Sequence, residues 1–506
     1  MDRRVAQGAG PDGRPSRLTT PSSARFPVIF SGVALIVLAF AIYLSSGPVR
    51  YYNHFVWQAL AFLDGRAEID YPVPSTATSP GNAFFQDVVP VLDADGQPTG
   101  RGQIPFPPLP ALVLLPFVAL WGLATDVQQV SSLFGAVAVG TAWWALGALR
   151  IRPGVRLATT VFFGVGTVFW YTAQTGTTWY FAHVVAVILL FAAVGVALRG
   201  DPQADERLEW DQTPAPARAD ERRAEGWSVT VVDGGGPSFG GQVLDAIRHL
   251  DRRQFAAGFL FGLAATARLT VVFGAPFFML VGGGGTWVRR SVSAGLGAII
   301  PVGALLAYNV VSTGHLFQPG YEALYGLEAI GWASLGYHID WAIEDIRYLP
   351  QNLAIMFLSA PSVMPTVVPT SVGSGAALCI DPGVGRGLFE LACPIALPRD
   401  IGMSVLLTSP AFLLLGPALR TYGRSRLVSG SVLAMIAITV VNLMHFSQGW
   451  VQFGYRFSND LVPFALVLVA LGMQRRGGVG RLAVILVVLS IAINFWGVWW
   501  ANALQW

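Results

Sequence analysis

From Gln254 to Gly282 the chain reads QFAAGFLFGLAATARLTVVFGAPFFMLVG. A helix needs roughly 20 apolar residues to cross a hydrocarbon layer about 30 Å thick, and this run is longer than that. Arg268 stands near its middle, where an ionisable group in hydrocarbon is costly. The stretch therefore reads as two shorter spans meeting at a turn around Arg268. Working outward, 27–45, 130–149, 156–172, 180–198, 291–310, 402–419, 427–446, 461–474 and 482–500 are apolar blocks of about one span each. With the two halves of 254–282 they make about eleven transmembrane helices, so the fold class is an all-α polytopic membrane protein. Segments 108–124 and 348–369 are apolar but interrupted by Pro108, Pro110, Pro116, Pro361, Pro365 and Pro369. They read as interfacial or re-entrant helices, because backbone at membrane depth must be hydrogen-bonded or lie against protein.

Composition agrees. Hydrophobic residues make up 53% of the 506, and charged residues 12%, where a soluble domain carries about 25% charged. All 32 basic residues are arginine, and against 29 acidic ones they leave a net charge of +3. That excludes a soluble globular protein, a disordered chain and a nucleic-acid binder. Two cysteines are too few for a disulfide-rich scaffold or a cysteine-based metal site.

Arginine placement gives an orientation. Clusters at 3–25, 150–156, 199–253, 289–290, 420–426 and 475–481 all fall on one side if each span crosses once. The rule that cytoplasmic loops are positive then puts the amino terminus inside and the carboxy terminus outside. Residues 1–26 read as a disordered cytoplasmic tail and not as a cleaved signal, since the apolar run after them is too long. Residues 27–506 form the transmembrane domain. The cytoplasmic linker 199–253 ends with Val243, Leu244, Ile247 and Leu250 at helical spacing, an amphipathic helix for the inner leaflet. The Gly282–Gly285 run lacks the lysine and preceding strand of a phosphate loop and reads as a flexible helix end.

Two long outer loops, 46–127 and 311–401, are rich in aromatics, prolines and isolated charges. Loops of that length are functional or disordered, and this composition is not disordered. Cys379 and Cys393 both lie in the second, where a disulfide would staple it. The first opens on an amphipathic helix from Asn53, with Asn53, His54 and Gln58 on its polar face and Gly65 closing it. By itself that helix reads as an interfacial anchor. Asp87, a lone carboxylate among aromatics, has the environment of a general base, although a turn aspartate reads equally well. Asp93 and Asp95 read as turn residues. Trp179, Tyr180 and His183 lie at a span end, and Tyr321 in the second loop. Trp450, Gln452, Arg456 and Asp460 share the dense stretch 448–460. There Arg456 and Asp460, four residues apart, could pair, or the arginine could bind phosphate beside aromatics that stack on a sugar.

The order of these landmarks resembles the GT-C superfamily of polytopic membrane glycosyltransferases, most closely a bacterial branch loosely grouped with family 39, the protein O-mannosyltransferases. The landmarks are Phe106-Pro107-Pro108-Leu109, Gly258 through Gly262-Leu263-Ala264 to Arg268, Tyr308-Asn309 through Gly314, and Gly454-Tyr455-Arg456-Phe457 to Asp460. The resemblance implies a polyprenyl-phosphate-linked sugar donor, an extracytoplasmic hydroxyl acceptor on glycan, protein or lipid, and inversion at the transferred carbon. It implies Asp87 or His54 as the catalytic base. Asn53, Arg268, Tyr321, Gln452, Arg456, Asp460, Trp179 and Trp450 would be substrate-binding, with Arg268 or Arg456 on the donor phosphate. Many relatives carry an acidic residue just after the first span, where this chain has Asn53-His54. No metal ligand is assigned, though a divalent ion could serve as cofactor. Two other classes compete: a non-catalytic scaffold of envelope assembly, and a lipid or solute transporter. The latter calls for mid-span charges and an internal repeat.

Overall fold

The computed structural model describes residues 22–45, 52–76, 80–201, 204, 238–373, 375–381 and 383–506. Most of the expected tail and the centre of the expected linker 199–253 lie outside the described residues.

Helix α1 (Ser22–Ser45) leads to α2 (His54–Leu63), which Asp64 and the left-handed Gly65 terminate. Three short strands follow, β1 (Ile69–Asp70), β2 (Val89–Leu92) and β3 (Pro98–Gln103). They form an antiparallel sheet in the order β1-β3-β2, with Ile69 opposite Gly102 and Val89 opposite Gln103. Asp93 holds the β2–β3 turn by accepting from the Asp95 and Gln97 amides, the turn role expected of it.

The membrane half begins with α3 (Leu109–Trp121) and α4 (Val127–Leu146), the latter capped by the Asp126 carboxylate on the Gln129 amide. Next come α5 (Pro153–Gly166), α6 (Phe169–Thr175) and α7 (Thr178–Gly200). After the linker, α8 (Phe239–Arg248) is the amphipathic helix expected there, with Phe239, Leu244 and Ile247 exposed. Helix α9 (Arg252–Ala265) stops just before Arg268, a 3-10 turn covers Leu269–Gly274, and α10 (Ala275–Leu280) completes the second half. The long apolar run is broken at Arg268 as expected, but its halves are short helices of 14 and 6 residues, not helices of span length.

Helix α11 (Trp287–Thr313) packs along α9. A Cβ at Gly258 would sit 2.0 Å from the Ala294 carbonyl oxygen, and one at Gly262 2.5 Å from that of Ala298. The two glycines are what lets these backbones touch. The segment 311–401 holds α12 (Gly320–Gly331), α13 (Leu349–Leu358), the paired strands β4 (Ser362–Val363) and β5 (Ala396–Leu397), and the Cys379–Cys393 disulfide. The chain ends with α14 (Val405–Thr408), α15 (Gly416–Leu419), α16 (Arg426–Met444), α17 (Val462–Arg475) and α18 (Arg481–Ala503).

Among the described residues five helices, α4, α7, α11, α16 and α18, are long and apolar enough to cross a membrane. Block 402–419 differs from its expectation as one span. It is broken into α14, a 3-10 turn at Pro410–Leu415 and α15. Pro410 and Pro417 lack the amide that an uninterrupted helix would use. Block 156–172 is likewise divided between α5 and α6. At the centre lies α17, buried at every position from Val462 to Met473. A helix apolar on all sides belongs inside a bundle. It is packed by α4, α5, α7, α16 and the broken 410–419 segment.

Helix α2 also departs from its reading as a surface anchor. His54, Phe55, Val56, Trp57, Gln58, Ala59 and Ala61 are all buried, between α3 on one side and the small sheet on the other. The segments 46–127 and 311–401 are joined. Gln103 Nε2 donates to the Ser312 carbonyl at 3.1 Å, and the rings of Phe106 and Tyr321 lie 6.3 Å apart.

Candidate active site

Burial of α2 decides the role of its histidine. His54 Nε2 lies 2.6 Å from the Gln86 carbonyl oxygen, which can only accept, so Nε2 carries the proton. Nδ1 meets the Thr178 hydroxyl at 3.0 Å, and the ring stacks on Phe85 with centroids 4.1 Å apart. Burial pushes the imidazole down to about 4, against the opposing pull of the Gln86 carbonyl. With both nitrogens engaged and no exposure, His54 is a brace between the first loop and the start of α7.

What it braces is the turn that carries Asp87. Asp87 has φ +59°, a left-handed conformation that aspartate tolerates better than most residues. The turn sends its carboxylate toward α7, where Oδ2 accepts the Trp179 indole proton at 2.6 Å. Tyr52 packs on the same indole, 5.2 Å between centroids. Oδ1 has no hydrogen-bond partner among the described residues. Burial raises the Asp87 pKa, while the Trp179 bond and the Arg456 charge oppose it. A raised carboxylate with one free oxygen is a stronger proton acceptor than an exposed one.

The two arginines are not equivalent. Arg268 donates through Nη2 to Asp460 Oδ2 at 3.0 Å. Asp460 is fully buried and also takes the Thr270 hydroxyl at 2.8 Å, the Asn442 amide at 3.3 Å, and His183 Nδ1 at 2.8 Å. Asp460 is thus a hub binding α7, the Arg268 break and α16 to the foot of α17. The Arg456–Asp460 pairing considered from the sequence is not formed: Arg268, distant in sequence, takes the carboxylate.

Arg456 makes no ion pair among the described residues, although it is only 7% exposed. Its Nε is buried without a partner. The guanidinium carbon lies 5.1 Å from the Tyr180 ring centroid and 5.4 Å from that of Phe457, which supply cation–π attraction but no counter-charge. Gly449, at φ +82°, makes room for it: a Cβ there would sit 3.0 Å from Arg456 Nε. A buried cation with no carboxylate in hydrogen-bond reach among the described residues is expensive.

Helix α12 closes the group from the second loop. Burial raises the Tyr321 phenol; the Arg268 charge lowers it and that of Asp87 raises it, so both charges reach this ring. Glu328, one of the residues the sequence did not single out, is pushed up to about 7, first by burial and then by Asp87. Its raised pKa makes ionisation cost stability, a cost absent below the ordinary 4.5 and complete above about 7. Glu328→Gln should therefore raise the thermal midpoint at pH 8 and leave it nearly unchanged at pH 4. Partial exposure reduces the gain to roughly 1 kcal/mol. Equal gains at both pH values would contradict it.

The remaining candidates divide. Gln452 is saturated: Nε2 donates to the Ile401 and Gln448 carbonyls at 3.0 and 2.7 Å, and Oε1 accepts the Arg456 amide at 2.9 Å. It shapes the Arg456 segment and has no group left for a ligand. Trp450 donates to Asp400 at 3.2 Å and packs on Trp332, in a cluster with Phe446 and Tyr337 separate from that of Phe85 and Tyr52. Asn53 sits at the start of α2 with no side-chain capping bond. The structure brings together Asp87, Trp179, Tyr321 and Arg456, and fixes Arg268 beside them through Asp460. His183, Thr270 and Asn442 complete the hub. His183 was visible as a polar residue at a span end, but nothing in the spacing gave its partner. Among the described residues no three His, Cys, Asp or Glu side chains converge as a metal site.

No family model matches the chain, and neither the curated proteins nor the solved structures contain a significant match.

Proposed function

We propose that the chain is a multi-pass membrane glycosyltransferase of GT-C-like architecture, with about eleven crossings, a cytoplasmic amino terminus and an extracytoplasmic carboxy terminus. It moves a sugar from a polyprenyl-phosphate donor to a hydroxyl acceptor outside the membrane. The observation that carries this reading is one pair: a carboxylate with a raised pKa and a free oxygen, and a buried arginine without a counter-ion whose charge reaches it. Transfer from a lipid phosphate needs both. Asp87 Oδ1 takes the proton as the acceptor oxygen bonds to the anomeric carbon. The bond from that carbon to the phosphate oxygen breaks, and its electrons leave on the phosphate. Arg456 stabilises that charge where it develops. Trp179 aims the base, and Asp460 keeps Arg268 in place as a second positive group near the same face.

The test is transfer of radiolabelled sugar from polyprenyl-phosphate donors in vesicles of both orientations. Arg456→Gln should lower kcat/KM for the donor about a hundredfold or more, with normal insertion. Full complementation in cells by Arg456→Gln and Asp87→Asn together would overturn the catalytic reading and favour a scaffold.

A further inference from the structure

The end of the protein opposite Asp87 holds a second gathering of cations. Helix α7 starts at Thr178 beside Trp179 and ends at Gly200. At 1.5 Å per residue that is about 33 Å of rise, one hydrocarbon thickness. Where it ends, two consecutive tryptophans of α4 each carry a guanidinium on the ring face. Arg156 of α5 lies 3.7 Å from the Trp143 centroid, and Arg199 of α7 lies 3.7 Å from that of Trp144. Arg156 Nε donates to the Trp143 carbonyl at 2.7 Å, and Arg199 Nη2 to the Trp144 carbonyl at 2.7 Å. Arg253 of α9 comes in from the other side, its Nη1 on the Arg199 carbonyl at 3.1 Å. A cavity of about 460 Å³ opens here, lined by Val196, Arg199 and Arg253. None of the three arginines has an ion pair among the described residues. Asp251 is committed to the Gln254 amide, and Asp201 to Arg426.

We infer that this cavity binds the phosphate of an anionic phospholipid in the leaflet facing away from the Asp87 site. The shared chemistry is a phosphate anion, and the surroundings favour the lipid source. Trp144 is 40% exposed beside Arg199, at the end of a helix apolar enough to span. A headgroup there would meet guanidinium groups while its acyl chain met tryptophan and Val196. Basic pockets between membrane helices at one face take lipid headgroups in this manner. The bonds to carbonyl oxygens hold the guanidinium of Arg199 in place before any ligand arrives, so little side-chain freedom is lost on binding.

The test reads binding and is independent of sugar transfer. Full-length protein, purified and stripped of lipid, is titrated with phosphatidylglycerol, with phosphatidylcholine and with inorganic phosphate. Thermal midpoint and native mass spectrometry are the readouts. Phosphatidylglycerol should bind and raise the midpoint, and Arg199→Gln should weaken it at least tenfold. Arg253→Gln removes an exposed group with a single backbone bond and should weaken binding several-fold without disturbing the fold. Equal binding of phosphatidylcholine, or wild-type affinity in Arg253→Gln and Arg199→Gln, would overturn the site. Displacement of the lipid by millimolar inorganic phosphate would replace a lipid site by one for a soluble anion.

Discussion

Asp87→Asn should reduce sugar transfer by roughly a hundredfold to ten-thousandfold, the range for loss of a general base, while the protein inserts and folds as before. The substitution isolates the proton. Asparagine is among the few residues that accept φ near +59°, so the turn keeps its shape. Its side-chain oxygen can still accept the Trp179 indole proton. What is lost is the ability to take a proton through the oxygen that Trp179 leaves free. The loss should fall on kcat, with donor KM little changed, because Arg456 and not Asp87 meets the phosphate in this scheme. Asp87→Ala is a poorer experiment, since it strains the turn and empties the Trp179 bond together. His54→Ala gives the contrast. It should lower stability by removing the bonds to Gln86 and Thr178, and whatever activity survives should keep the wild-type pH profile. A single-turnover rate of Asp87→Asn equal to wild type would remove Asp87 from the reaction.

Asp460→Ala should be the most destabilising single change, about 3–5 kcal/mol, as for breaking a buried ion pair on one side. The carboxylate is wholly buried and has four donors. Removing it strands the Arg268 charge and the polar groups of Thr270, Asn442 and His183. The measurement is the thermal midpoint in detergent, together with the amount of protein in the membrane. A double-mutant cycle sharpens it. Asp460→Asn combined with Arg268→Gln should cost clearly less than the sum of the two single changes, because the second removes the charge that the first strands. Strict additivity would show that the pair is not coupled.

Much of the architecture was legible because hydrocarbon imposes a length. The break at Arg268 followed from a run too long for one helix with a charge at its centre; the shortness of α10, six residues after a 3-10 turn, did not. Packing is harder to read from one chain. Block 402–419 has the apolar content of a span, yet its prolines divide it, and only the crowding around α17 shows that short pieces suffice there. Helix α2 has an amphipathic pattern that fits a surface and a buried helix equally. Its polar face points at Thr178 and Gln86 instead of water, and no periodicity distinguishes those partners. The site was half visible. Asp87, Trp179 and Arg456 stood out as isolated polar groups among aromatics. Their pairing did not, since Asp460 lies four residues from Arg456 and yet holds Arg268, 192 residues away. Glu328 lay unremarked on α12, because its environment is made by another loop.

That separation has a consequence for how the chain is made. Synthesis runs from the amino terminus, so His183, Arg268, Thr270 and Asn442 all leave the ribosome before the one carboxylate that joins them. Until Asp460 follows, Arg268 stands in a half-built bundle with no counter-charge, free to be drawn to the lipid headgroups at the surface. The ties from Arg268 to α7 and α16 form only once residue 460 has been made. A nascent chain stalled before Asp460 carries Arg268, Thr270, Asn442 and His183 without the carboxylate that joins them, and such incomplete packing is where misassembly begins.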